Sequence, residues 1–588
     1  MTSVLGLSFG YHDSAAAIVV DGVPVAACQE ERFSRSKHDG GFPGRSILHC
    51  LGTAGLRDRD VDAVAYYEDT RLKFDRIVRS FCRNVDRNPA YLEHVTKSWL
   101  ANRKFDPMRF IGEFMPGFRG QMHALPHHRS HAASAFFCSP FEEATVIAMD
   151  GVGEYETTTV HRGRDRSIEM LYGTELPNSI GLFYSAFTAF LGFEVNEGEY
   201  KVMGMAGFGQ PRHLDEMRKL AWPTEDGLFA MDSAAFDFEA PENRPYTDRL
   251  LEIFGTPRPV GADFDPGIGE ANPSAFQAEC RRHADIAASL QRHTEELILH
   301  TVRSAVSRSG SRKVCLAGGV ALNSLANARI LREVTPDLYV QPAAGDAGGA
   351  LGAALDYHCS IGGPRPAALE NVYLGRAYSD GEVLEALRRY NLPHRILKNE
   401  TEVIETAADL IAGGAVVGWF QGRFEWGPRA LGARSILANP ALPGMQETVN
   451  RKIKFREPFR PFAPSVLPEA AGTYFEMFGD PGRPACPEAF MLAVARVRPE
   501  MQARIPAVTH VDGTARVQVV NRQANPLYAG LIEAVGRRTG IPMVLNTSFN
   551  LNGEAMCDKP YDALQTFTYS EMDALVMNRF LLVKDDLW

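Results

Sequence analysis

A chain of 588 residues exceeds what one hydrophobic core supports, and a composition of 45% hydrophobic and 23% charged residues is that of a globular protein of several domains. A formal charge of −10 argues against a surface built to neutralise many nucleic-acid phosphates. Nine cysteines scattered singly, with no Cys-x-x-Cys pair, exclude a disulfide framework or zinc knuckle and fit reduced thiols.

In chain order, residues 4–7 read as a short strand that ends in a polar loop holding His12 and Asp13. Residues 15–20 and 23–28 then pair through Asp21-Gly22, a dipeptide that favours the positive φ of a tight hairpin turn. Residues 1–6 have no basic-then-apolar signal pattern, and no run reaches the roughly 18 apolar residues of a membrane helix. The expectation is a cytoplasmic protein with neither membrane nor nucleic acid as partner. Residues 70–118, mixed helical and basic, and 222–273, loop-rich, carry no clear signal. A strand at 144–149 runs into Asp150-Gly151-Val152-Gly153. Further on, a strand at 313–317, the turn Gly318-Gly319, a helix at 323–331 and a strand at 338–340 make an α/β region. Gly345-Asp346-Ala347-Gly348-Gly349 opens a small-residue helix. The Gly- and Pro-rich stretch 361–366 reads as a linker, which divides the chain into domains 1–363 and 366–588. Beyond it, helices at 380–390 and 402–412 and strands at 416–420 and 541–545 predict a second α/β domain.

Four clusters carry chemistry. In Pro126-His127-His128-Arg129-Ser130-His131, helical spacing puts His127 and His131 on one face and turns His128 about 100° away. Two imidazoles on one face are half of a metal site, and Asp150 and Asp346, each in a glycine-containing loop at a strand end, are the natural completion. Such a mixed N/O set suits Fe2+, Mn2+ or Zn2+; the same spacing also suits histidines merely hydrogen-bonded near a helix start. Gly318, Gly319 and Asn323 stand where a strand turns into a helix, a place for a nucleotide or simply for tight packing. Five cations lie within residues 451–460 (Arg451, Lys452, Lys454, Arg456, Arg460), and Arg423, Arg429 and Arg434 precede them on a glycine-rich turn. In an acidic protein both runs fit a phosphate pocket better than a nucleic-acid surface, the bland alternative being a solvated basic face. Finally, Asn546-Thr547-Ser548-Phe549-Asn550 follows a buried strand with hydroxyls and amides able to hydrogen-bond a planar amide-like group or a phosphate, or simply to cap a turn.

At these residues the chain resembles the NodU/CmcH-type O-carbamoyltransferases of antibiotics and nodulation factors. The likeness runs almost end to end, through Gly10-Tyr11-His12-Asp13-Ser14, Glu30-Glu31-Arg32-Phe33-Ser34-Arg35, the His127 cluster, Asp150-Gly151-Val152-Gly153-Glu154, Gly198-Glu199-Tyr200-Lys201 and the clusters above. It implies an α/β chain with an N-terminal actin/Hsp70/sugar-kinase-like domain and a C-terminal YrdC-like domain. It implies a metal, Fe2+ first with Mn2+, Zn2+ or Mg2+ as alternatives, on His127, His131, Asp150 and Asp346. ATP and carbamoyl phosphate are the implied substrates and a hydroxylated small-molecule natural product the acceptor. Arg429, Lys454, Arg460 and Arg516 are then catalytic, and Lys452, Arg456, Thr547, Ser548 and Asn550 bind the activated carbamate. Gly318, Gly319 and Asn323 hold its nucleotide, and His12 or Asp13 is the general base. The competing readings are a tRNA-modifying fusion of the same two domain types and an ATP-binding switch without enzymatic activity.

Overall fold

The computed structural model describes residues 2–587 except 84–92, 94, 98, 101–103, 105, 239–243, 271, 455–458 and 484. Five strands, β1 (Ser3–Ser8), β2 (Ala15–Val20), β3 (Val23–Gln29), β4 (Ala63–Tyr66) and β5 (Gln121–Ala124), form a sheet in the order β3-β2-β1-β4-β5. The β2–β3 turn is the expected one, with Asp21 at φ +49° and Gly22 at φ +82°. A helix α1 (His127–Phe136) leads into β6 (Glu143–Met149), β7 (Glu156–Arg164) and β8 (Ser167–Glu175). The long helix α2 (Ala275–Ser309), opened by a Ser274–Gln277 capping box, precedes β9 (Val314–Ala317), α3 (Ser324–Glu333), β10 (Leu338–Val340) and α4 (Asp346–Ser360). These strands form a second sheet ordered β8-β7-β6-β9-β10, antiparallel through β6, β7 and β8 and parallel through β6, β9 and β10.

Both sheets therefore have one strand order, a three-strand run followed by two strands reached through crossovers. This repeat gives the N-terminal part the doubled architecture that the actin/Hsp70/sugar-kinase-like expectation requires.

By compactness the chain divides into Met1–Gly10, Ile18–Val23 and Gly55–Ala367 as one unit, and Tyr11–Ala17, Pro24–Ala54 and Ala368–Trp588 as the other. A single cut near residues 363–366 does not describe this interleaving. Arg32 makes one set of the contacts that tie the early segment to residues beyond 368. Its guanidinium, 2% exposed with the rest of the residue, donates to the Gly427 carbonyl at 2.8 Å, pairs with Glu31 at 2.7 Å and lies 4.8 Å from the Phe424 ring centre. Nor is the stretch 361–366 a loose tether: Arg365 donates to the Phe136 and Phe141 carbonyls and stacks 4.3 Å from the Phe136 ring centre.

The second unit is built on β11 (Arg395–Ile396), β12 (Val417–Phe420), β13 (Arg434–Ala438), β14 (Ala463–Val466), β15 (Gln518–Val519), β16 (Met543–Ser548), β17 (Ala574–Met577) and β18 (Phe580–Val583). They form one mixed eight-stranded sheet ordered β11-β18-β17-β12-β13-β16-β14-β15. Two buried clusters serve it, one around Phe420, Ile436 and Leu545 and the other around Trp419, Leu437 and Val544, because alternate residues of a strand face opposite sides. Among the described residues no helix is long and apolar enough to cross a membrane.

Candidate active site

The first unit gathers the two histidines and two aspartates. Pro126 precedes α1 in an extended conformation, and the buried Glu154 carboxylate accepts the His127 backbone N–H at 3.0 Å and that of Asp69 at 2.7 Å, closing the helix start with a negative charge. One helical turn separates His127 from His131, so both rings leave the same face, and their Nε2 atoms stand 3.0 Å apart. Asp150, directly after β6, places Oδ2 3.0 Å from His127 Nε2 and 3.6 Å from His131 Nε2. Asp346, the first residue of α4, places Oδ1 3.8 and 3.7 Å from the same two nitrogens. All four donor atoms lie within 4.8 Å of one another.

Close helix packing makes this convergence possible. A Cβ at Gly352 would overlap the Ser130 carbonyl oxygen, so only glycine lets α4 approach α1 closely enough to bring Asp346 to the imidazoles.

Electrostatics agree with the geometry. Burial would lower the His131 pKa, but the Asp150 and Asp346 carboxylates outweigh it and lift it to about 9. Burial would raise that of Asp150, yet the hydrogen bonds of His127 and His131 hold it well below the usual carboxylate range. His128 faces elsewhere: Nδ1 meets Thr159 Oγ1 at 3.1 Å, and burial first, then the His127 and His131 charges, push its pKa well down. Two imidazole nitrogens and two carboxylate oxygens facing one point form a donor set for a divalent transition metal. Nδ1 of both rings is buried without a hydrogen-bond partner among the described residues, so the fit rests on the four facing atoms.

The expected nucleotide residues have local work. Gly318 sits at φ +88°, where a Cβ would overlap the Met149 carbonyl. Gly319 N–H donates to Asp150 Oδ1 at 2.9 Å and so orients that carboxylate. The Asn323 side chain caps α3 by accepting from Ala326 N–H, and exchanges hydrogen bonds with Gln291.

In the second unit, the carboxyl end of β16 delivers Thr547 and Ser548. The antiparallel pairing Ala463↔Asn546 and the parallel pairing Ser465↔Gln518 put the starts of β14 and β15, which follow Arg460 and Arg516, at that same end of the sheet. The loop carrying Arg429 is tied there too: Asn546 donates to the Ala430 carbonyl and Gln518 to that of Leu431. Lys454 Nζ reaches the Ser548 carbonyl at 2.6 Å, Asn550 Oδ1 at 2.8 Å and Ser548 Oγ at 3.3 Å, and Ser548 Oγ donates to Asn550 Oδ1 at 2.6 Å. Lys452 is not brought to this group; its ammonium pairs with Asp573 at 2.6 Å. Arg456 lies outside the described residues. Of the three upstream arginines, Arg423 donates to the Gly375, Leu374 and Val25 carbonyls, and the fully buried Arg434 stacks 3.6 Å from the Phe420 ring centre.

Two supporting residues escaped sequence reasoning. Glu425 Oε1 accepts the backbone N–H groups of Leu431, Ala433 and Arg434 and shapes the arginine loop. His38 bonds to Asp13, which His12 also contacts, and no spacing in the chain announces that pair.

Residues 3–355 match the family described as carbamoyltransferase N-terminus and residues 408–584 the one described as carbamoyltransferase C-terminus. The chain belongs to the carbamoyltransferase family and is an enzyme of that class. It is 36% identical to nodulation protein NolNO of Sinorhizobium fredii over 97% of this chain and 79% of that protein. It is 39% identical to an uncharacterised protein, sll1178, of Synechocystis over 99% of this chain and 97% of that one. A solved structure, HypF of T. kodakarensis, aligns at a TM-score of 0.31 and 15% identity, covering 61% of this chain and 48% of that one.

Proposed function

We propose that the protein is an ATP-dependent O-carbamoyltransferase that works in two half-reactions. Carbamoyl phosphate, ATP and water give carbamoyl adenylate, phosphate and pyrophosphate at the carboxyl end of β16. An acceptor hydroxyl then attacks the carbamoyl carbon and releases AMP. The observation that carries the reading is the convergence of His127, His131, Asp150 and Asp346, in a family whose class is carbamoyl transfer.

The cations of the second unit suit the first half-reaction. Lys454, held by Ser548 and Asn550, together with Arg429, Arg460 and Arg516, supplies positive charge where phosphoryl oxygens gain negative charge. Thr547 and Ser548 offer hydroxyls to the carbamate, and Gly318, Gly319 and Asn323 are assigned to the nucleotide. A divalent metal, Fe2+ in our assignment, would be held by the four donors of the first unit and would supply Lewis-acid polarisation of a carbonyl or phosphoryl oxygen. His12 is assigned as general base toward the acceptor hydroxyl. A hydroxylated natural product is the proposed acceptor, in keeping with relatives named for nodulation.

The test is transfer of label from ¹⁴C-carbamoyl phosphate, with ATP, to a panel of hydroxylated natural products. Pyrophosphate release without acceptor should stop in Arg460→Ala and Ser548→Ala. Wild-type release by both folded variants would remove the activation site from the β16 edge.

A further inference from the structure

Two loops of the second unit, one ending at Ser14 and one running from Arg35 to Gly41, are joined by a histidine–aspartate–histidine chain. Asp13 Oδ2 stands 3.1 Å from His12 Nδ1, and Asp13 Oδ1 stands 2.9 Å from His38 Nδ1. Burial would raise the Asp13 pKa, but the hydrogen bonds and charges of His12 and His38 outweigh it and hold the group far below the usual carboxylate range. An ionised carboxylate only accepts hydrogen bonds, so both Nδ1 atoms donate to it. A neutral imidazole with its proton on Nδ1 carries its lone pair on Nε2.

The backbone is bent to make this chain. Asp13 and His38 adopt φ of +53° and +55°, a left-handed conformation uncommon for residues other than glycine. Such conformations are strained and persist only where their surroundings enforce them. Here Ser14 N–H donates to the Asp39 carbonyl at 2.7 Å and His38 N–H to Glu31 Oε2 at 2.8 Å, and a Cβ at Gly40 would overlap the Tyr11 carbonyl. The charged groups that act on His38 besides Asp13 are Glu31, itself paired with Arg32, and the adjacent Lys37.

We propose that Asp13 and His38 are positioning residues that fix His12 with its proton on Nδ1, leaving the Nε2 lone pair to take the proton of the acceptor hydroxyl. The inference rests on the reading of His12 as the base. In the step itself the hydroxyl oxygen bonds to the carbamoyl carbon while the bond from that carbon to the AMP oxygen breaks. AMP leaves with the electron pair, and the hydroxyl proton passes to His12 Nε2. Asp13 takes no proton; it holds the imidazole and stabilises the imidazolium. Asp13, Glu31 and His38 also present three donor atoms within 4.8 Å, the outline of a second cation site. The hydrogen-bonded chain is the better account, because one Glu31 oxygen is bonded to His38 N–H, the other faces Arg32, and His38 Nδ1 donates to Asp13.

The experiment uses the full chain with ¹⁵N-labelled histidine, reading the tautomer of His12 by NMR and assigning its signal from its loss in His12→Asn. The wild type should show the Nδ1–H form. His38→Gly tolerates the left-handed backbone but removes the donor. It should give mixed tautomers and reduce kcat for transfer to an acceptor found in the panel by about a hundredfold, with KM for carbamoyl phosphate unchanged. His38→Asn restores a donor and should restore both readouts. A wild-type His12 protonated on Nε2, or a His38→Gly protein with unchanged tautomer and turnover, would overturn the proposal. So would a stoichiometric divalent ion that survives His131→Ala and disappears in His38→Gly. Full transfer by His12→Asn would instead sink the base reading, an outcome distinct from an inactive His12→Asn beside an unaffected His38→Gly.

Discussion

His131 and His128 are close in sequence and opposite in surroundings. The His131 ring faces His127, Asp150 and Asp346, whereas the His128 ring bonds to Thr159. His131→Ala should therefore lose bound metal and transfer activity while carbamoyl phosphate-dependent pyrophosphate release survives, and His128→Ala should keep its metal. Metal content by plasma emission and the two half-reaction assays check this; equal metal loss in both variants would cancel the ligand assignment. A second histidine reports on pH. Burial, then the charge of Arg129, lowers the His161 pKa to about 4. The unfolded chain takes up this proton near the ordinary histidine value of 6.5, but the folded chain does not until about 4. The stability contributed by neutral His161 is thus complete above the unfolded value and is lost as pH falls through that window, by about 3 kcal/mol at most. His161→Gln should flatten the fall in Tm between neutral and acidic buffers; parallel wild-type and variant curves would count against it.

At the scale of elements, the metal candidates depend on how two helices meet. Gly352→Ala puts a methyl against the Ser130 carbonyl, so α4 must move away from α1 and carry Asp346 with it. Overpacking of this kind costs about 1–3 kcal/mol. We expect a lower Tm together with metal affinity weakened at least tenfold, measured by competition with a chromophoric chelator; unchanged affinity in a destabilised protein would show that Asp346 is not held by this contact. In the second unit the arginine loop hangs on one carboxylate. Glu425→Ala strands three backbone donors of a buried turn. It should destabilise by about 3 kcal/mol and abolish pyrophosphate release even below its new Tm, since Arg429 loses its frame. Activity recovered fully at low temperature would make Glu425 purely structural.

For the whole molecule, the interleaved division has a mechanical consequence. Pro24–Ala54 belongs to the unit that also contains Ala368–Trp588, and Arg32 and Arg35 bond to Gly427 and Met556 within it. A protease site engineered between Gly362 and Gly363 should yield two fragments that stay together on size exclusion in dilute buffer. Separation of the fragments without denaturant would show that these contacts do not hold. The fragment 366–588 should be insoluble when made alone and soluble when the N-terminal fragment is co-expressed, which a pull-down checks.

Much of this protein was legible in its sequence because the signals are local. Hydrophobic runs between glycine-rich turns gave the strands, the Asp21-Gly22 hairpin followed from turn chemistry, and the spacing of His127 and His131 put both imidazoles on one helical face. The order of motifs pointed to the family, and the matches at residues 3–355 and 408–584 bear that out. Tertiary structure alone decided what depends on residues far apart in the chain. It brought Asp150 and Asp346 to the histidines through a glycine at a helix crossing, and it separated Lys452 from Lys454 although both lie in one basic run. It buried Arg434 as a structural cation and assigned Arg32 to a unit built mainly from residues beyond 367. It also joined His12 to His38 through Asp13. A linear pattern records periodicity and turn preference, but not which carboxylate a loop will turn toward a histidine, because that choice is made by packing and burial once the chain has closed on itself.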